Sequence, residues 1–251
     1  MIVVAYGGGT NSTAMLIGLH ERGERPDLIL FADTGGEKPH TYRHLETMRE
    51  WCAKVGFPDI VTVQTQDKSG AYYTLEQRCL EQKMLPSIAY GFNACSEKHK
   101  RRPQDRYCNQ HDGCVSVWAS QKKVVKLIGY DADEERRAHI AGDEKYAYRY
   151  PLIEWGWARQ ECIEAIKRAR IEQPGKSACF FCPSSKKDEI IDLKRKYPDL
   201  FARAVAMEDN AELSSVRGLG RSFSWKEFVY GDPRQDRLFP EIEIPCDCYE
   251  G

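Results

Sequence analysis

Residues 2–15 read IVVAYGGGTNSTAM: a short apolar run rich in β-branched residues, three consecutive glycines, then small polar residues that give way to apolar ones. The run predicts a buried strand. Asn11 or Ser12 suits the N-cap of a helix with apolar positions at Met15, Leu16 and Leu19, and Gly23 suits its end. The pattern then repeats. DLILFA (27–32) predicts a second strand, KPHTYRHLETMREWCAKVG (38–56) a second helix with Pro39 in its first turn, and DIVTVQT (59–65) a third strand. Strand, helix, strand, helix, strand within 65 residues admits few folds, because parallel strands need crossover helices. The expected class is α/β: a doubly wound, mostly parallel, Rossmann-like sheet with helices on both faces and right-handed crossovers.

The middle of the chain, 66–122, is less regular. VVKLIGY (124–130) returns as a strand and runs into the acidic loop DADEERRA. WARQECIEAIKRARIE (157–172) predicts an amphipathic helix, and SACFFCP (177–183) a tight loop before the helical stretch SKKDEIIDLKRKYPDLFARAVAMED. SFSWKEFVYGD (222–232) predicts one more short helix, and the tail EIEIPCDCYEG an extended segment. Nothing repeats. The 251 residues suit one large domain with an appendage. No window is apolar enough for a membrane span and the start lacks a signal-peptide pattern, so the expected location is cytoplasmic.

Three glycines between a first strand and a first helix have a specific physical use. The helix N-terminus offers unpaired N–H groups and the positive end of a dipole, and glycine lets the backbone approach a phosphate closely. Tyr6, Gly7, Gly8, Gly9, Thr10, Asn11, Ser12 and Thr13 are the candidate binding residues, with the Ser12 and Thr13 hydroxyls as added donors. The kinase-type loop is excluded, since no Gly-Lys-Ser/Thr follows. A dinucleotide fingerprint stays open, because Gly7, Gly9 and Ser12 supply two of its three glycines and Asp33 an acid for a ribose. A tight turn with no ligand is the plain alternative.

Four segments together carry a resemblance. GGGTNS (7–12) resembles the Ser-Gly-Gly-x-Asp-Ser loop of the ATP-pyrophosphatase (PP-loop, adenine nucleotide alpha hydrolase-like) superfamily, with Gly7 for the first Ser and Asn11 for Asp. FADTGGEKPHTY (31–42) resembles the second-strand motif of the phosphoadenosine-phosphosulfate reductase family through Asp33, Thr34, Gly35, Glu37, Pro39, Thr41 and Tyr42. IGYDADEERRA (128–138) resembles that family's later loop through Gly129, Asp133, Glu134, Arg136 and Arg137. YPLIEWGWARQECIEAI (150–166) resembles its P-L-x-x-W segment. The resemblance implies a nucleotide-binding domain over 1–200 with a mainly helical extension, 201–251, packed on it. It also implies that ATP or an adenylyl-sulfate nucleotide sits on the glycine loop with Mg²⁺, that Asp33, Thr34 and Gly129 line the site, and that Asp33, Arg136 and Arg137 act on the reacting phosphate or sulfate. Arginine suits bidentate contact with such oxygens.

Ten cysteines in a chain expected to be cytoplasmic point to a metal, a cluster or thiol chemistry rather than a disulfide framework. CFFCP (179–183) is a C-x-x-C pair, and Cys95 opens CSEKHKRRP. Family members that bind a 4Fe–4S cluster place thiols at these two sites, so the resemblance makes Cys95, Cys179 and Cys182 the candidate ligands of such a cluster. A zinc site, with His99 or His111 helping, and free thiols are the alternatives, and Cys108, Cys114, Cys246 or Cys248 is a candidate fourth ligand. Assimilatory reductases of the family end in a Glu-Cys-Gly nucleophile. Cys248 is only loosely similar to it, and its acidic neighbours Asp247 and Glu250 oppose a thiolate.

Two chemistries follow as expectations. In one, ATP adenylates a substrate oxygen, pyrophosphate leaves, and sulfur or nitrogen replaces AMP, with a sulfur-donor protein as partner. In the other, an adenylyl-sulfate is reduced by thiol attack, with a reductant protein as partner. A net charge of −1 gives no global attraction to nucleic acid, but the basic stretches 97–106 and 184–196 leave a nucleic-acid substrate open. A zinc-stabilised interaction protein, or a nucleotide-binding protein without catalysis, is the non-enzymatic alternative.

Overall fold

The computed structural model describes residues 1–86, 88–89, 92–138 and 142–231. It divides into two compact units. The first comprises Met1–Arg78 and Ile88–Cys179, the second Cys79–Ser87 and the described chain from Phe180 on.

The sheet of the first unit is built from the apolar runs. Its strands are β1 (Ile2–Tyr6), β2 (Leu28–Asp33), β3 (Ile60–Gln64), β4 (Val124–Ile128) and β5 (Tyr146–Arg149). Their order is β3-β2-β1-β4-β5, and every pairing is parallel. The connecting helices are α1 (Thr10–Glu21) and α2 (Pro39–Lys54), then α3 (Arg102–Gln110), α4 (Asp112–Ala119) and α5 (Arg159–Arg168).

Strand alternation sends side chains to two cores. Val4, Tyr6, Ile29, Phe31 and Leu127 pack with Met15, Leu16 and Leu19 of α1, Leu45 and Met48 of α2, and Ala165 and Ile166 of α5. Val3, Leu28, Leu30, Val63 and Val124 face the opposite way, with Cys108 of α3 and Cys114 of α4. The doubly wound α/β class read from the sequence is therefore the fold observed. Gly18 shows how closely α1 is packed, since a Cβ there would stand 2.3 Å from Cζ3 of Trp155.

Strand β5 was not anticipated. YAYR lacks the β-branched run that marked the others, and it lies at the edge of the sheet, where less burial is demanded. The acidic loop expected after β4 is a short 3₁₀ helix, Ala132–Arg137, capped by the Asp131 carboxylate on the Glu134 N–H. The helix expected over 157–172 is shorter, because the chain turns through a positive φ at Arg170.

In the second unit the long helical stretch is two helices, α6 (Lys187–Lys196) and α7 (Pro198–Asn210), because Pro198 cannot continue α6 and instead opens α7. A last helix, α8 (Trp225–Tyr230), falls inside the segment expected for it. The extended tail, with Cys246 and Cys248, lies outside the described residues. Among the described residues no helix is long and apolar enough to cross a membrane.

Candidate functional site

Strand β1 has β2 on one side and β4 on the other. The chain leaves β1 toward β2 through α1, while β4 adds on the opposite side, so the order reverses at β1. In open parallel sheets the crevice beyond the strand ends at such a reversal is where ligands bind. The glycine loop, residues 7–9, lies at that point, and α1 begins directly after it at Thr10.

The loop is shaped by its neighbours. Gly8 has φ +72°, and a Cβ there would stand 3.1 Å from Thr41 Cγ2 and 3.4 Å from Phe31 Cε2. Gly129, just past β4, abuts the start of α1, since its Cβ would be 3.1 Å from both Cα and N of Ser12. Any side chain at 129 would push β4 away from the loop.

The expected hydroxyl donors have partners within the chain. Ser12 Oγ donates to the Gly9 carbonyl at 3.1 Å and accepts from the Gly9 N–H at 3.3 Å. Thr13 Oγ1 lies 3.1 Å from the Tyr6 hydroxyl and 3.0 Å from His44 Nε2. Thr10 Oγ1 accepts from Gln173 Nε2 at 2.7 Å. The donors left for an anion are the first-turn N–H groups of α1, which have no intrahelical partner.

Beneath the loop the Tyr6–Thr13–His44 chain is kept neutral. Burial pushes the Tyr6 hydroxyl up and His44 down to about 4. His99 is pushed down to about 4 as well, by burial first and then by Arg78 and Lys98. A ring that stays neutral when folded but takes a proton near pH 6.5 when unfolded binds more protons in the unfolded state. The native state therefore loses stability as pH falls from about 6.5 toward 4, by on the order of 3 kcal/mol for each ring. Followed by NMR, the His44 and His99 rings are expected to show no titration between pH 8 and 5.5. A midpoint near 6.5 for either ring would contradict its burial.

Asn11 accounts for its own departure from the motif it resembles. Its Nδ2 donates to Asp131 Oδ2 at 2.9 Å and to Glu134 Oε2 at 3.1 Å, while its Oδ1 accepts from Arg159 at 3.1 Å. Two carboxylates already occupy this place, and burial followed by Glu134 raises Asp131. A third acid at position 11 would meet them, whereas the amide satisfies both.

On the β2 side Asp33 is 8% exposed. Its Oδ1 accepts from the Tyr42 hydroxyl and the Gly35 N–H, both at 2.8 Å, and its Oδ2 accepts from Gln64 at 3.3 Å. Thr34 Oγ1 lies 3.1 Å from Cys179 Sγ, and Glu37 forms an antiparallel bridge with Cys179. Glu37 is buried; its Oε1 meets Lys100 at 3.5 Å, and its Oε2 has no partner among the described residues. The segment from Gln173 to Cys179 runs along the loop: Ser177 Oγ donates to the Gly7 carbonyl, and His40 Nε2 lies 3.3 Å from the Lys176 carbonyl.

The fold thus brings the 6–13 loop, Asp33, Thr34 and Gly129 to one end of the sheet. Arg136 and Arg137 are exposed; Arg137 pairs with Glu134 and covers the Tyr130 ring at 4.3 Å. Gln173, Ser177, His44, Asp131 and Arg159 were not singled out by the sequence. They are polar residues with no spacing signal, recruited from segments up to 170 positions away from their loop partners.

Cys95 and Cys179 belong to the first unit and Cys182 to the second, and all three are half-buried. Among the described residues no group of three or more His, Cys, Asp or Glu is arranged to hold a metal ion. The first unit by itself supplies two of these thiols, Cys95 and Cys179, fewer than a cluster or a structural zinc needs. The basic stretches are partly neutralised: Arg101 and Arg102 pair with Glu97, and Arg195 and Lys196 with Asp192.

No protein-family model matches the chain, and no curated protein does. A solved structure to which it is similar is that of the U34-tRNA thiolase NcsA from Methanococcus maripaludis with its 4Fe–4S cluster. The identity is 15%, the match covers 83% of this chain and 71% of that one, and the TM-score is 0.45.

Proposed function

We propose that the chain is an adenine-nucleotide-dependent enzyme of the PP-loop type, which adenylates an acceptor with release of pyrophosphate and so enables sulfur transfer or nucleic-acid modification. One observation carries the reading: a glycine loop without a lysine stands at the reversal point of a parallel sheet, with the start of α1 directly behind it. Backbone N–H groups and a helix dipole at that place suit a polyphosphate. They are fixed before the reaction begins, so they oppose charge building up on departing pyrophosphate without reorganising.

In this reading Asp33, held by three protein donors, fixes the turn at the end of β2 rather than shuttling a proton. Arg136 and Arg137 reach the nucleotide from the far side of the crevice. Mg²⁺ arrives with ATP, and Asp131 and Glu134 supply the carboxylate charge absent at position 11. The acceptor, a sulfur donor and the roles of Cys95, Cys179 and Cys182 follow from the motif resemblance and stay within this proposal.

Calorimetric titration with Mg·ATP tests the reading. Binding is expected, with competition by inorganic pyrophosphate and much weaker binding of adenosine. Binding of adenosine as tight as that of ATP, or no competition by pyrophosphate, would remove the phosphate-loop assignment. Asn11→Asp gives a second check. It replaces a donor to two carboxylates by a third negative charge, so a loss of about 1–3 kcal/mol at neutral pH is expected in urea unfolding. An unchanged midpoint would mean that Arg159 alone compensates.

A further inference from the structure

The first turn of α2 reaches the same crevice as the glycine loop. Strands β1 and β2 run parallel, so α1 and α2 both begin at one end of the sheet and turn their positive dipole ends to it. Thr41 marks the place where they meet. It is the third residue of α2, and its N–H donates to the Lys38 carbonyl at 2.9 Å. A Cβ on Gly8, two residues before α1, would stand 3.1 Å from the Thr41 methyl and 3.4 Å from Phe31 Cε2.

Thr41 is 1% exposed, and its hydroxyl has no hydrogen-bond partner among the described residues. That sets it apart from the other hydroxyls around the loop. Thr10 accepts from Gln173, Ser12 donates to the Gly9 carbonyl, Thr13 lies between Tyr6 and His44, and Ser177 donates to the Gly7 carbonyl. Thr41 Oγ1 does not make even the bond that a helical threonine makes most readily, to the carbonyl four residues back. A buried hydroxyl without a partner destabilises the folded chain, because water satisfied it before folding. Valine, of the same shape, would carry no such penalty. The penalty falls where backbone N–H groups and two helix ends already favour an anion.

We propose that the Thr41 hydroxyl is a ligand-binding donor, left unpaired in the free chain for an oxygen of the pyrophosphate portion of the nucleotide. The inference rests on the phosphate-loop reading above and extends that site from α1 to a second helix. The hydroxyl is carried on the same Cβ as the methyl that faces Gly8, so it lies beneath the loop. Gly8, with no side chain and φ +72°, is a thin cover over it. Reseating the Gly8 peptide round a phosphate brings the loop N–H groups and the Thr41 O–H to the same oxygens. The hydroxyl then donates to a charged acceptor, and such bonds are about twice as strong as neutral ones. The buried donor thus regains in the complex the partner it lacks in the free chain.

The test is calorimetric titration of the full chain with inorganic pyrophosphate and with Mg·ATP, beside urea unfolding of the same proteins without ligand. Thr41→Val is expected to weaken both ligands by a similar factor, about tenfold to a hundredfold. Its urea midpoint should be no lower than the parent's, since the unpaired hydroxyl is gone. Thr41→Ser keeps the donor and should bind pyrophosphate as the parent does, although it loses a buried methyl and with it some stability. A purely structural role would instead lower affinity and stability together in both variants, and that result would overturn the proposal. If the parent binds pyrophosphate and Thr41→Val binds it equally well, the proposal falls while the phosphate loop stands. A loss for Mg·ATP but not for pyrophosphate would place the hydroxyl elsewhere on the nucleotide and overturn it too. If the parent binds no pyrophosphate, the loop reading and the proposal fall together. Should Thr41→Val not fold, Thr41→Ala replaces it: alanine is expected to lose pyrophosphate affinity where serine keeps it, and equal binding by the two would defeat the proposal.

Discussion

Glu208→Ala is expected to remove on the order of 4 kcal/mol from the second unit. Glu208, on α7, is 6% exposed. Its Oε2 accepts from the Leu219 N–H at 2.6 Å and the Trp225 N–H at 2.9 Å, and its Oε1 from the Ser224 hydroxyl at 2.5 Å and the Lys226 N–H at 3.1 Å. One carboxylate thus organises the turn before α8 and the first N–H groups of that helix. Gly218 makes room for it, because a Cβ there would lie 2.3 Å from Oε2. Truncation leaves three backbone donors and a hydroxyl buried without partners, each costing about 1–3 kcal/mol where water cannot reach it. Partial solvation of the loosened turn keeps the total near the upper end of single-site effects. Glu208→Gln keeps the shape but points an amide N–H₂ at donors, so it should fall between the two. Urea unfolding followed by fluorescence, as buried Trp225 meets water, reads the loss. Tryptic cleavage at Arg217 and Arg221 should speed up in parallel. An alanine variant within about 1 kcal/mol of the parent would show that the turn finds other acceptors.

Glu208 also marks the limit of what the sequence discloses. AMEDN reads as an ordinary acidic helix end, and nothing in its spacing says that a turn ten or more residues later depends on it. The strands β1 to β4 were legible because each carries an apolar, β-branched run, including β3 at the sheet edge with IVTV. Strand β5, YAYR, was not, because it has no such run. The glycine loop was legible for the same local reason: strand, glycines and helix start are contiguous. Its surroundings were not. Asn11 read as a missing acid, and only the fold shows Asp131 and Glu134 already at its amide, more than a hundred residues on. The hydroxyls of Ser12 and Thr13 read as ligand donors, and the fold occupies them with Gly9, Tyr6 and His44. Residue types and local spacing announce a site's backbone geometry, while the pairing of its polar side chains depends on long-range packing.

Gly8→Val should abolish nucleotide binding while leaving the chain folded, which sets a functional effect against a structural one. At φ +72° a β-branched side chain is strongly disfavoured, and even alanine pays about 1–2 kcal/mol there. Contact with Thr41 and Phe31 adds to that. The loop would relieve the strain by turning its peptide planes, and those planes aim the N–H groups proposed to hold the phosphates. A loss of affinity of at least about a hundredfold is expected, equivalent to about 2.7 kcal/mol. Gly8→Ala should give a smaller loss, since the 3.1 Å approach to Thr41 needs a shift of only a few tenths of an ångström. Gly23 supplies the control. It has φ +70° but nothing within 4 Å of its Cβ position, so Gly23→Ala introduces the same backbone strain away from the loop. It should cost similar stability and leave ATP binding unchanged. If Gly8→Val and Gly23→Ala weaken binding equally, global strain is the cause. If Gly8→Val binds Mg·ATP as the parent does, the three glycines do not form the phosphate site.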